Sequence, residues 1–326
     1  MAFIAKPSFV LGCDVGKDSV AVFNSKKGKR STWANDPASL EQALQDALAD
    51  LPEDGLPESL LVCEATGGYE AALLAAAHAA GLACHRADTR KASAFARSLN
   101  SHAKNDALDA KALALYGLER GGRLPRWQPA STAQLRLTAL VQLRGDLVGC
   151  LSDWRRRLKA PGADPVSSHL QAVLDDLEAR LAAVEADIAA LIDADRGLAA
   201  KTAVIQAIPG CGSVTAATLA ALMPELGQID RKQAASLAGL APHPRQSGQA
   251  DAYRSTRGGR RPVKTVLFMA AMTARRYNPD LKAFYERLIT NGKKRIVAII
   301  AVARKLITII NARIRDAAML NPQQLC

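Results

Sequence analysis

Two short apolar runs, each closing on a carboxylate, constrain the first third of this chain more than any other feature. FVLGCDVG (residues 9–16) and LLVCEATGG (residues 60–68) are aliphatic and β-branched, too short for buried helices, and bounded by glycine turns, which marks them as buried strands. Around them the pattern alternates. VAVFNS and STWAN predict two further strands, and helical periodicity follows from about Ser39 to Leu51. Beyond the second run come an Ala-rich helix from about Tyr69 to Ala80, a short LACHRAD strand and another helical stretch.

Three strands in a meander, followed by strands alternating with helices, is the order of an α/β RNase H-like domain. It is expected to span residues 1–126, ending where GGRLPRWQP breaks the pattern. Residues 127–200 predict a helical middle. A long helix from about Ala133 to Lys159 carries Leu140, Leu143, Leu147, Leu151, Trp154 and Leu158 on one side. After the break APGADP, Leu170, Leu174, Leu177, Leu181, Val184, Ile188 and Leu191 recur at spacings of four and three, a coiled-coil seam. The seam fits either a hairpin within the chain or pairing with another subunit. Residues 201–326 predict a mostly helical domain punctuated at IPGCG, MPELG, GLAPHPRQSG and TRGGRRP.

The net charge of +12 points to a polyanionic partner, nucleic acid before an anionic membrane. No apolar run approaches the roughly 20 residues of a membrane span, and the first residues lack a signal-peptide pattern, so a cytoplasmic, nucleoid-associated protein is expected. The cysteines Cys13, Cys63, Cys84, Cys150, Cys211 and Cys326 lack zinc-site spacing and are expected to be free buried thiols.

Asp14 and Glu64 end the two strand-like runs, and both emerge on one edge if the strands are neighbours. KNDALDAKALA then opens a helix with Asp106 and Asp109 three residues apart, on one face. Four carboxylates gathered this way need cations, and two Mg²⁺ ions about 4 Å apart are a recurrent device for phosphodiester chemistry. Singly, each acid is equally a turn, cap or helix-dipole residue. Basic residues concentrate later: Arg245, Arg254, Arg257, Arg260, Arg261 and Lys264, interleaved with Gly258 and Gly259, and then Lys293, Lys294 and Arg295, with Arg304 and Lys305 further on. They are a phosphate clamp or merely a solubilising surface. Gly210 and Gly212 in IPGCG fit a helix-hairpin-helix turn whose N–H groups grip phosphate, or a plain tight turn. Ser247 in RQSGQAD is, from the residues alone, an ordinary loop serine.

CDVGKD, CEATGGYE and KNDALDA, together with IPGCGSVTA, SLAGLAPHPRQSG and RLITNGKK followed by ARKL, resemble the DEDD transposases of the insertion-sequence "one-ten" family, bridge-RNA-guided recombinases, over nearly the whole chain. Asn105 departs from the common Lys-Thr-Asp form. The resemblance implies a Mg²⁺ site at Asp14, Glu64, Asp106 and Asp109 and a nucleophile at Ser247. It also implies donor and target DNA and a guide RNA as partners, and a homo-oligomer, dimer or tetramer. Because the acids and Ser247 fall in different domains, the site would have to be composite. His243 is a minor candidate for proton transfer to the serine, and His102 lies beside the acidic motif. Three rivals remain: a metal-dependent RuvC-like nuclease needing no serine, an actin-like ATPase, which lacks a late Gly- and Thr-rich phosphate loop here, and a non-catalytic nucleic-acid-binding protein.

Overall fold

The structure is a computed structural model describing residues 6–49, 56–99, 106–242, 245–247, 250–252 and 256–320; of residues 57, 106–108, 245–247 and 250–252 it describes the backbone alone. The chain divides into two compact units, residues 1–130 and 131–326.

In the first unit β1 (Phe9–Val15), β2 (Ser19–Asn24) and β3 (Lys29–Ala34) form the antiparallel meander. Helix α1 (Pro37–Leu48) follows, opened by Asp36, whose side chain accepts from Ser39 N, with Pro37 at its first position. β4 (Ser59–Glu64) pairs parallel to β1. After α2 (Ala71–Ala79), β5 (Ala83–Ala87) pairs parallel to β4. Helices α3 (Thr89–Ser98) and α4 (Asp106–Arg120) complete the unit. The strand order β3-β2-β1-β4-β5 fits an RNase H-like domain, and both parallel links run through helices as such links require.

Strand alternation sorts the core into two layers. Phe9, Leu11, Cys13 and Val15 of β1, with Leu61 and Cys63 of β4, face Leu40 and Leu44 of α1 and Leu73, Leu74 and Ala77 of α2. Val10, Leu60 and Val62 face the other way, onto Phe95 of α3 and Leu113, Ala114 and Tyr116 of α4.

Among its described residues, the second unit is helical apart from one hairpin. α5 (Thr132–Leu158) and α6 (Ser167–Ala194) pack along each other. Ion pairs from Arg144 to Glu185 at 2.8 Å and from Arg155 to Glu178 at 2.7 Å show that they run antiparallel. Leu170, Leu174, Val184 and Ile188 of α6 are buried and Leu177, Leu181 and Leu191 half-buried. The seam is thus covered within the chain at four positions and partly covered at the other three. On α5, Leu143 is 46% exposed, off the seam where its spacing predicted it.

Next come α7 (Arg196–Gln206), α8 (Ser213–Leu222) and α9 (Arg231–Leu237), then β6 (Arg245–Ser247) and β7 (Ala250–Ala252), then α10 (Arg261–Tyr277), α11 (Pro279–Thr290) and α12 (Arg295–Leu320). Their core is aliphatic, centred on Leu219, Leu267, Val302, Leu306 and Ile310. The buried Asn311 of α12 accepts from Gly227 N and donates to Ile229 O, both at 2.8 Å, which fixes the loop after α8. Cys13, Cys63, Cys84 and Cys211 are buried, whereas Cys150 is exposed on α5, correcting the expectation of burial there. Cys326 lies outside the described residues. No helix among the described residues is long and apolar enough to cross a membrane.

Candidate active site

Asp14 and Glu64 stand side by side at the ends of the two central strands. The parallel register pairs Gly12 with Val62 and Cys13 with Cys63, so the two acids are each one residue further on, across strands about 4.8 Å apart. Both follow even-numbered residues of the α4 face, Val10 and Gly12 on β1 and Leu60 and Val62 on β4, and alternation sends them to that face. Their outer neighbours are small: Asp14 pairs with Ala21 and Glu64 with Ala87, leaving room beside both carboxylates.

Helix α4 is laid against this edge by glycine. A Cβ on Gly12 would come within 2.1 Å of Ala110 O and 2.4 Å of Ala114 N, while Gly117 meets Val10 and Val62 and Gly121 meets Pro7. The helix therefore runs antiparallel to β1. The two residues from Gly12 to Asp14 span about 7 Å of strand, equal to roughly four or five helical residues. That places the first turn of α4, residues 106–109, over the ends of β1 and β4. Asp109 is half-buried in this turn; Asp106 opens the helix, and its side chain lies outside the described residues.

The loop after Glu64 contains a residue that the motif reading passed over. Glu70, 3% exposed, accepts from Thr66 N at 3.1 Å, Thr66 Oγ1 at 3.0 Å and Gly68 N at 2.9 Å. It also pairs with Arg86 at 3.3 Å. Burial pushes its carboxyl pKa up, but the backbone donors at Glu70, Gly68 and Thr66 and the Thr66 hydroxyl prevail and hold it below the ordinary value. Asn35 pins the same loop from the other side, donating through Nδ2 to Tyr69 O at 3.1 Å and to Gly16 O at 2.9 Å. The available signal was a lone acid at the threshold of an Ala-rich helix, just after a Gly-Gly turn.

Ser247 belongs to the second unit. Rather than lying in an irregular loop, it ends β6, paired with Ala250 of β7, with the bridge Pro242–Thr256 further down. Below the bridge, Gly259 runs against Gly239 and Arg260 N donates to Leu237 O at 2.8 Å. Gly258 and Gly259 thus form the stem of the serine hairpin.

The basic residues divide. Arg260 donates to Leu222 O at the end of α8 and pairs with Glu225 at 2.7 Å; Lys264 donates to Thr256 Oγ1 at 2.8 Å. Those two are engaged inside the fold. Arg257, Arg261, Lys293, Lys294, Arg295, Arg304 and Lys305 are exposed, and Lys305 also lies 4.8 Å above the Phe284 ring. The side chain of Arg245, and Arg254, His243 and His102 altogether, lie outside the described residues. Gly210 packs on α10, where a Cβ would come within 2.6 Å of that of Ala274. Gly212 is the exposed N-cap of α8. At the other end of α8, Lys201 of α7 donates to Pro224 O at 2.7 Å, and burial lowers its pKa to about 8.

Residues 11–161 match the family profile of the DEDD transposases of the IS110 group, and residues 202–286 match the family described as "Transposase IS116/IS110/IS902 family". The chain is 32% identical over 268 residues to the pilin gene-inverting protein of Moraxella lacunata, an alignment covering 78% of this chain and 80% of the relative. The chain belongs to this transposase family. The transposase is also 30% identical over 155 residues to the IS110 43.6 kDa protein of Streptomyces coelicolor, covering 47% of this chain and 37% of that one.

The transposase is therefore an enzyme that cuts and rejoins DNA, and its DEDD-type domain implies a divalent metal. Asp14, Glu64 and Asp109 supply hard oxygen donors suited to such an ion. Among the described residues, which leave out the Asp106 side chain, no three His, Cys, Asp or Glu side chains come close enough together to hold one.

Proposed function

We propose that the transposase cuts and rejoins the DNA of a mobile insertion sequence through a serine nucleophile assisted by a Mg²⁺-binding acidic edge. The observation that carries this is the shared face of Asp14 and Glu64 beneath the first turn of α4, where Asp106 and Asp109 lie. A Mg²⁺ ion held by these four carboxylates would supply positive charge to the reacting phosphate. Ser247 Oγ attacks phosphorus; its bond to phosphorus forms as the bond to the leaving strand oxygen breaks, and the leaving oxygen takes up a proton. The phosphoserine ester keeps the bond energy, so an incoming strand hydroxyl can attack the same phosphorus and release the serine. Arg257, Arg261, Lys293, Lys294 and Arg295 hold the flanking phosphates, with Gly212 N at the start of α8 as a further contact. Arg245, Arg254 and Lys264 belong to the same clamp, Lys264 after leaving Thr256.

Guidance by a bridge RNA and a homo-oligomer, dimer or tetramer, belong to the same proposal and rest on the family resemblance. The α5–α6 hairpin is its proposed coiled-coil contact, with Leu135, Leu143 and Val148 exposed on α5.

The test is a gel assay for covalent protein–DNA adducts with Mg²⁺, donor and target DNA and the element's flanking RNA. Wild type should form an adduct, and Ser247→Ala and Asp106→Asn should not. Cleavage that persists without an adduct in Ser247→Ala would favour a metal-dependent RuvC-like nuclease instead.

A further inference from the structure

We propose that Tyr69 is a stacking platform for an unpaired DNA base next to the phosphodiester that reacts at the Asp14–Glu64 edge, with Lys17 holding a neighbouring phosphate. The inference rests on the acidic edge being the reacting site. Tyr69 is 50% exposed, and it stands in a loop whose backbone is held from both ends.

On one side, the buried Glu70 carboxylate gathers Thr66 N and Gly68 N. On the other, a single Asn35 amide nitrogen donates to both Tyr69 O and Gly16 O. This ties the aromatic to the turn that leaves Asp14 two residues earlier. Rigid support of this kind lets an aromatic stack without first losing loop freedom. The exposed Lys17 extends the surface for a strand, while Arg86, in register with Cys63 and so on the α1–α2 face, supports the loop from behind through Glu70 at 3.3 Å. Base-on-aromatic stacking is tolerant of sequence because every base has a flat face. The platform therefore sets where along the strand the phosphodiester rests, and DNA is its occupant because DNA is what the acidic edge acts on.

The experiment compares Tyr69→Ala, Tyr69→Phe and Tyr69→Leu with wild type in the full chain. Binding is measured to element-end DNA carrying 2-aminopurine beside the cut, and to the flanking RNA. Tyr69→Ala and Tyr69→Leu should bind the DNA about tenfold or more weakly and lose quenching of 2-aminopurine fluorescence. Tyr69→Phe should keep both, and thermal melting should be unchanged in all. Should Tyr69→Ala lower the melting temperature, Tyr69→Leu, which keeps apolar bulk without an aromatic face, carries the comparison. Unchanged DNA affinity in the Leu variant, an equal loss in the Phe variant, or a loss confined to RNA would overturn the platform. Asp14→Asn and Glu64→Gln, assayed in parallel for cleavage, report separately on the acidic edge, so a failure there is distinct from a failure of Tyr69 to stack.

Discussion

Gly239 and Gly259 touch backbone to backbone. A Cβ on Gly259 would stand 2.1 Å from Gly239 N, and one on Gly239 would stand 2.4 Å from Gly258 O. This contact closes the stem of the hairpin that ends on Ser247. Because Gly259 also has a φ of 74°, alanine there is both strained and obstructed. Gly259→Ala is expected to cost about 2 kcal/mol and to lower covalent adduct formation by about a hundredfold, since displacing a reacting group by about 1 Å has that scale of effect. Adduct yield measured beside thermal melting checks it; a full adduct yield would show that the stem does not place the serine.

Two other glycines differ in what faces them. Gly12 meets the α4 backbone, which cannot yield without moving the helix. Gly117 meets side-chain methyls of Val10 and Val62, which yield by a smaller shift within the core than a helix backbone would need, and alanine within a helix regains about 1 kcal/mol. Gly12→Ala should therefore cost about 3 kcal/mol and Gly117→Ala about 1 kcal/mol or less, measured by denaturant unfolding. Equal costs would mean that α4 is not held at Gly12.

Acid sensitivity should trace in part to Glu70. Its carboxyl pKa lies below the ordinary 4.5, so its contribution is fully present above that value and is lost as pH falls through the folded value. Glu70→Gln should be about 2 kcal/mol less stable at pH 7, with the gap to wild type narrowing as pH drops below 4.5. A gap independent of pH would mean that the charge of Glu70 contributes nothing.

Arg260 and Lys294 should separate structure from binding. Arg260→Ala removes the partner of Glu225 and Leu222 O, so it should lower the melting temperature while leaving the salt dependence of DNA binding unchanged. Lys294→Ala should do the reverse, reducing the slope of log K against log salt by about one. Titrations across salt concentrations, with melting curves, decide between them.

Much of the first unit was legible because its two central strands, β1 and β4, are buried on both faces and read as unbroken apolar runs, with Asp14 and Glu64 as their only charged residues. The seam of α6 was equally legible in position, but apolar spacing does not name the partner, and α5 supplies it. Helical periodicity placed Leu143 on the α5 seam, yet its neighbours one turn away took that face. The β6–β7 hairpin was not legible: strands of three residues carry too little alternation to distinguish from a loop. Nor was Glu70, because its role depends on donors in the turn before it. Arg260 looked like its basic neighbours, since charge alone does not reveal whether a guanidinium faces solvent or a carbonyl.

The contacts that fasten the α5–α6 hairpin gather at one end, where Leu137, Val141, Val184 and Ile188 meet Leu198 of α7 and Ala217, Ala220 and Ala221 of α8. Mechanically this is a lever with its fulcrum on the helix that begins at Gly212. From Val141 to Leu158 the arm is about 25 Å long. A swing of about 10° at the root would thus carry the tip about 4 Å, the scale of one helical turn. A shift at that root, too small to disrupt the core, would arrive at the far end of the hairpin as a sideways displacement of several ångströms.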